Sequence, residues 1–366
     1  MAADRKRRRK RSSAVMLLNG LLTIVVIGMV VVAAATYFAV RTYYAEGPRA
    51  EETAFLVEKG TGIGTIANRL EEQGLIENAL LFRGAAQLTK NNAKILPGQY
   101  MVPAHASMAA ILDIITETKP MEFFVNVIPG ETSWQVAEHI NDPAQNLTGA
   151  AVPAPIEGTL LAVRHDFFPG DSRKSLIEAM EKAMADQVAA IWAARDPAID
   201  DVVKSPKDLV TLASLVEKET GLETERPQVA SVFVNRLRKH MRLQTDPSVI
   251  YGLTLGKGKL ERALTTADLK AKTPYNTYQI DGLPAGPIAN PGVEALKAVA
   301  HPAGASFLYF VARSADPADG HLFAATYAEH KKNVALYRKA AAADEAEAAK
   351  EALEAEQASE AGDTTQ

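Results

Sequence analysis

Residues 205–221 read Ser-Pro-Lys-Asp-Leu-Val-Thr-Leu-Ala-Ser-Leu-Val-Glu-Lys-Glu-Thr-Gly. Ser205 has the chemistry of a helix N-cap, Pro206 suits the first turn, and Asp208 stands where a capping-box acid would stand. Gly221 marks the end. At about 100° per residue, Leu209, Leu212, Ala213 and Val216 gather on one side, with Lys218 opposite. Glu219 falls about 60° from the apolar centre and Glu217 about 100°. The wheel makes Glu219 the half-buried acid and Glu217 the solvated one. By itself it leaves a plainer reading ahead: Glu217, Glu219, Glu223 and Glu225 as a solvated helix end with Lys218 and Arg226. The distinction matters because desolvation favours the neutral carboxyl, and a carboxyl still protonated near neutral pH can act as a general acid.

Outward from this helix, the chain has 366 residues, 47% hydrophobic and 23% charged, with a net charge of −4. That suits a globular chain of two or three domains. The charge is unevenly spread. Seven basic residues run from Arg5 to Arg11, and an uncharged stretch follows from Ala14 to Ala39. At ~1.5 Å per residue this stretch reaches ~39 Å, beyond the ~30 Å hydrocarbon core. The expectation is a basic cytoplasmic N-terminus over 1–13 and an uncleaved transmembrane helix over 14–40, with the remainder exported. Ala33–Ala35 is the one place that mimics a signal-peptide cleavage site. The basic run is read as an orientation signal and not as a nucleic-acid patch. The chain has no cysteine, which removes disulfides, thiol catalysis and cysteine-held metals.

Residues 41–52 read as a polar linker. Phe55–Val57 reads as a strand, Thr61–Gln73 and Asn78–Leu88 as helices, and Gln99–Val102 as a second strand. A helix capped by Ser107 follows. The chain then repeats a design: Gly60 leads to Ile66, Ala67 and Leu70, and Gly130 leads to Val136, Ala137 and Ile140 at the same offsets. Each glycine follows a largely apolar strand. The first unit, 53–120, is similar in element order to the LysM fold of glycan-binding modules. Residues 121–200 read as a connecting α+β region with a helix over Ser172–Arg195. A structured domain follows over 201–338, and 339–366 read as an acidic Ala/Glu-rich tail passing into disorder. The fold class is α+β: one transmembrane helix, a LysM-like subdomain and a mixed α+β domain.

The segment Val216–Gly221 (VEKETG), Arg226, Val229–Gly252 (VASVFVNRLRKHMRLQTDPSVIYG), Thr273–Gly292 (TPYNTYQIDGLPAGPIANPG), Ala300–Ala303 and Phe307–Ala312 resemble the endolytic murein transglycosylases, the MltG or YceG-like family. The match runs over about 200–340 without a large gap, and the family's N-terminal anchor and LysM-like subdomain extend it to most of the chain. The resemblance implies a membrane-anchored lytic transglycosylase, a lyase. Such an enzyme cuts the β-1,4 bond between N-acetylmuramic acid and N-acetylglucosamine inside nascent strands and leaves 1,6-anhydro ends. It implies Glu219 as the catalytic residue, with Thr220 in the Ser/Thr position that follows the acid in related enzymes. It implies a bacterial inner-membrane location with the catalytic domain periplasmic. The implied partners are peptidoglycan strands, penicillin-binding proteins and the elongation or division machinery.

Supporting contacts are expected from Arg236, Gln244, Thr245, Asp246, Tyr275, Asn276 and Tyr278. Amide and aromatic groups suit acetamido sugars. Competing roles stay open for several of them: a helix cap for Asp246 before Pro247, a turn for Asn276, surface ion pairing for Arg236 and Arg238. The Pro/Gly-rich stretch Gly282–Gly292 is expected to shape the groove through its backbone. One departure stands out, since Glu157-Gly158-Thr159-Leu160 lacks the Pro-Asp-Thr-Tyr segment usual after it in the family. No cofactor or metal is expected: H-E-x-x-H, G-x-G-x-x-G and G-x-S-x-G motifs are all missing. Two other readings compete, a muramidase using Asp246 as a second carboxylate and a non-catalytic glycan-binding scaffold.

Overall fold

The computed structural model describes residues 2–89, 94–145 and 147–344, with side chains described from residue 15 onward. The acidic tail beyond residue 344, Asn146 and the side chains of the basic N-terminal block lie outside the described residues. The chain divides into two compact units, one ending at Glu122 and one beginning at Phe123.

The first unit opens with α1 (Ala2–Tyr44), followed by β1 (Thr53–Val57), α2 (Ile63–Glu72), α3 (Ala79–Leu88), β2 (Gly98–Val102) and α4 (Met108–Glu117). From Val15 onward α1 is apolar and long enough to cross a membrane, and that stretch has no buried share. The helix runs four residues further than the expected span. Nothing in Arg41-Thr42-Tyr43-Tyr44 breaks it, and Tyr43 packs against the unit's core. Gly47 follows because a Cβ there would sit 2.2 Å from the Ala106 carbonyl oxygen.

β1 and β2 pair antiparallel, Phe55 opposite Tyr100. The strand–helix–helix–strand order is the one expected. Phe55, Ile66, Leu70, Phe82, Tyr100, Ile111 and Ile115 fill a single core. Ser107 caps α4 as read, accepting from the Ala110 N–H at 3.2 Å.

The second unit begins with β3 (Phe123–Asn126) and α5 (Ser133–Asn141), then β4 (Arg164–Phe167), which pairs antiparallel with β3. The repeat is physical. Gly60 and Gly130 both take the left-handed conformation, with φ of 77° and 88°. The equivalent triads Ile66/Ala67/Leu70 and Val136/Ala137/Ile140 are all buried.

Next come α6 (Arg173–Ala194), α7 (Pro206–Glu219), α8 (Arg226–Arg238), α9 (Asp246–Thr254), α10 (Thr266–Lys270) and α11 (Val293–Ala300). The hairpin β5 (Tyr309–Ala312) and β6 (His321–Ala324) and a helix α12 over 327–344 complete the unit.

α7 is the axis of this unit. Every residue from Leu209 to Val216 is buried, because α6, α8, α9 and α11 pack around it. A one-sided helix was expected; α7 is enclosed all round. Its two central hydroxyls are satisfied within the helix, Thr211 donating to Lys207 O at 2.8 Å and Ser214 to Thr211 O at 2.7 Å. Ser205 caps it as read, accepting from the Asp208 N–H at 3.1 Å.

Candidate active site

The burial of α7 carries a carboxyl to its last turn. Glu219 is the final helical residue, and Thr220 leaves the helix with φ −144° and ψ 133°. The exit is held by local bonds. Thr220 Oγ1 donates to Glu225 Oε2 at 3.4 Å and accepts from the Leu222 N–H at 3.1 Å. Glu225 in turn accepts from the His321 N–H at 2.8 Å and meets its Nδ1 at 2.9 Å. Thr220 is buried and positions the chain, so its hydroxyl is not offered to a ligand.

Glu219 lies in a cleft of about 170 Å³ with Arg236, Leu243, Gln244, Asp246, Tyr278 and Phe310. Its surface is partly open, yet protein crowds the carboxyl closely enough that burial pushes its pKa up to about 7. Thr245 opposes that rise, Asp246 adds to it, and Arg236 opposes it. The carbonyl end of a helix also disfavours a negative charge.

Glu217 departs from the expectation. Its side chain is 4% exposed and ion-paired with Arg226 at 3.1 Å, and its Oε2 accepts from the Gly292 N–H at 2.9 Å. The solvated position predicted for it rested on a single apolar face; the 282–292 segment covers the other side of the helix. That segment is itself mostly buried. It packs on α7 and α5 through Ile288, whose N–H donates to Ser214 Oγ at 3.0 Å, and Asn290, whose Nδ2 donates to Ser133 Oγ at 3.2 Å. None of its residues lines the cleft.

Arg236 comes from α8. Its Nε donates to Leu308 O at 2.7 Å and its Nη1 to Leu243 O at 2.8 Å, which aims the guanidinium at the cleft. Asp246 is the first residue of α9 and accepts from the Tyr278 hydroxyl at 2.7 Å. Burial, then Asp246, raises the Tyr278 pKa, so the phenol stays a donor. Gln244 takes φ 50°, a left-handed turn that lets the chain swing between two buried neighbours, Leu243 and Thr245.

Thr245 is 2% exposed. It stands at the N-cap of α9 but makes no side-chain cap bond. Its backbone is clamped instead. The Thr245 N–H donates to Thr277 Oγ1 at 2.9 Å, Thr277 and Ser248 share a bond of 2.8 Å, and Ser248 Oγ donates to Thr245 O at 2.7 Å. Because the Ser248 proton is used on that carbonyl, Thr277 must be the donor to Ser248. This closed circuit leaves Thr245 Oγ1 buried and without a fully formed bond. The Glu219 carboxyl is close enough to feel this hydroxyl, which opposes the rise in its pKa.

Two expected contacts lie elsewhere. Asn276 is fully buried, and its amide is used within the protein: Nδ2 donates to Ala271 O at 2.7 Å and Oδ1 accepts from the Tyr278 N–H at 2.9 Å. It builds the turn that presents Tyr278. Tyr275 packs edge-on to Tyr251 at 4.8 Å and against the core. Leu243 and Phe310 line the cleft and were not anticipated; neither has a polar atom to betray a site. Among the described residues no cluster of His, Asp and Glu has metal-binding geometry.

The YceG-like family model matches residues 55–336. The chain is 37% identical over 179 residues to a Bacillus subtilis protein named endolytic murein transglycosylase, covering 49% of this chain and 47% of that one. A Streptococcus pneumoniae protein of the same name is 26% identical over 326 residues, covering 76% of this chain and 57% of that one. The chain thus spans about half the length of these curated relatives. The crystal structure of a yceG-like protein from Listeria monocytogenes aligns at 28% identity and a TM-score of 0.48, covering 77% of this chain and 98% of that one.

Proposed function

The chain belongs to the YceG-like family, and from that premise we propose that it is a membrane-anchored endolytic lytic transglycosylase with Glu219 as its acid and base. The observation that carries this is the Glu219 carboxyl, lifted to about 7 in a cleft that also holds a cation and an anion.

The chemistry needs one proton carrier. Protonated Glu219 gives its proton to the bridging oxygen, the bond from that oxygen to the muramyl C1 breaks, and positive charge develops on the ring. Glu219, now a carboxylate, removes the proton of the sugar's own 6-hydroxyl. That oxygen closes on C1 to form the 1,6-anhydro ring, and Glu219 is protonated again. No water is consumed. Asp246, held by Tyr278, supplies negative charge for the ring's positive charge, and Arg236 supports the carboxylate stage. The Thr245 hydroxyl suits both stages: it accepts from a neutral carboxyl and donates to a charged one. General acid catalysis of this kind is worth ~10²–10⁴ in rate.

The substrate is peptidoglycan, whose strands offer the muramyl 6-hydroxyl this route requires. The strand–helix–helix–strand order of the first unit supports a LysM-like, glycan-binding role. The apolar length of α1 and the basic block before it support a single-pass anchor with a cytoplasmic N-terminus. That position suits work beside penicillin-binding proteins and the elongation or division machinery.

Asp246 favours a second reading, because a second carboxylate in the cleft permits hydrolysis by a muramidase route. The full chain, incubated with uncrosslinked glycan strands, separates the two by mass spectrometry. Fragments lighter by one water than the hydrolytic product are expected. Reducing ends, or turnover undiminished in Glu219→Gln, would sink the proposal.

A further inference from the structure

α3 carries a stripe that the first unit's core does not use. Its buried face is Ala79, Phe82 and Ala86. On a different face Leu80, Gly84 and Leu88 recur every fourth residue, which sets them in one row. Leu80 is 72% exposed and Leu88 87%. A Cβ on Gly84 would meet nothing within 4 Å, so no element closes over the row. The row forms one wall of a shallow apolar groove of about 490 Å³, and Thr36, Val40 and Tyr43 of α1 lie on the other.

The level of this groove along α1 identifies what covers it. From Val15 to Tyr37 the helix rises ~33 Å at ~1.5 Å per residue, just over the ~30 Å of a hydrocarbon core. Tyr37, Phe38 and Tyr44 are each more than 60% exposed. Aromatic rings in such a cluster mark the boundary between acyl chains and headgroups. The α3 leucines therefore stand beside the part of α1 that leaves the bilayer. The open face is continuous with the face α1 gives to lipid. Arg83 and Gln87 are exposed next to the row, where they meet headgroups.

We propose that α3 is an interfacial helix whose Leu80–Gly84–Leu88 row sinks into the outer boundary of the bilayer, so that the first unit is seated on the membrane and not merely tethered to it. This rests on the reading of α1 as a membrane span. Exposed apolar patches adjoining a span are the usual sign of such contact.

The chain has no cysteine, so one introduced thiol gives one labelling site. The full chain is reconstituted in phosphatidylethanolamine/phosphatidylglycerol vesicles with an environment-sensitive fluorophore on Leu80→Cys, Leu88→Cys, Val25→Cys or Glu72→Cys. All four side chains are exposed, so the fold tolerates the changes. Labels at 80 and 88 are expected to emit to the blue of the label at 72. They are expected to resist aqueous iodide and to be quenched more by a shallow lipid-borne nitroxide than by a deep one. The label at 25 is expected to prefer the deep nitroxide.

Deep quenching at 25 with water-like emission at 80 and 88 overturns the interfacial helix and leaves the span standing. Loss of deep quenching at 25 removes the span and the proposal with it. Iodide protection at 80 and 88 that rises with protein density but shows no nitroxide quenching assigns the row to a second copy of the chain, and also overturns it.

Discussion

Two glutamates two residues apart on α7 have opposite lives. Glu217 is charged and paired, with Arg226 and the Gly292 N–H around it. Glu219 is crowded by burial and keeps its proton to about pH 7. Removing one partner of a buried ion pair costs ~3–5 kcal/mol. Glu217→Ala is therefore expected to lower unfolding stability by about 3 kcal/mol, read from denaturant titration. Glu219→Gln should do the reverse at alkaline pH.

The folded-state pKa of Glu219 lies above its unfolded value of ordinary 4.5. Its contribution to stability is therefore whole below about pH 4.5 and is lost as pH rises through about 7. At ~1.36 kcal/mol for each pKa unit the loss comes to about 3 kcal/mol. The glutamine variant avoids it, so thermal melts of the two proteins should coincide near pH 4 and separate by pH 8, with Glu219→Gln the more stable. Its turnover should fall by ~10²-fold or more. Asp246→Asn removes a charge that raises the Glu219 pKa. The alkaline limb of the pH–rate profile should then move to lower pH, and an unmoved limb would remove Asp246 from this role.

At the level of elements, α7 was legible at its start and misleading in its middle. Ser205 and Pro206 announced the cap, and the choice of Glu219 agrees with where the half-buried carboxyl sits. The wheel failed for Glu217 because four helices and a loop from 282–292 surround α7, and a periodic pattern in one helix carries no record of what covers its polar side. Asn276 misled for a related reason. An amide between two tyrosines suits a sugar as well as a turn, and only the carbonyls of Asp268, Leu269 and Ala271 converging on its Nδ2 decide the matter.

The circuit of Thr245, Ser248 and Thr277 was beyond reach, since its hydroxyls come from two segments 29 to 32 residues apart. Thr277→Val keeps the shape and removes the central hydroxyl. It should cost ~1–3 kcal/mol of stability. It should also lower kcat with little change in KM, because Thr245 loses its setting while the cleft walls remain.

At the scale of the molecule, the two compact units have separate cores. Phe55, Phe82 and Tyr100 belong to the first, and Leu209, Phe233 and Leu296 to the second, with no residue shared. Phe82→Ala should cost ~3–5 kcal/mol. Hydrogen exchange should report that loss in residues before Glu122 and leave protection of α7 and α8 unchanged. The two copies of the strand–glycine–helix repeat fall one in each unit, but the second packs Val136 and Ile140 with Val125, Leu160 and Met180 in a cluster apart from the core around α7. The exit of α1 at Tyr44 was not foreshadowed in the sequence, because Tyr43 docks on residues far along the chain.

A carboxyl that titrates near ambient acidity is a poor on–off device. From pH 7, a whole unit up still leaves about a tenth of the carboxyls protonated, and a whole unit down loads about nine tenths. Under the proposed lytic route, acidity alone is therefore a weak control on cleavage. On that proposal, restraint would come from geometry: which strands reach the cleft, and how long they stay.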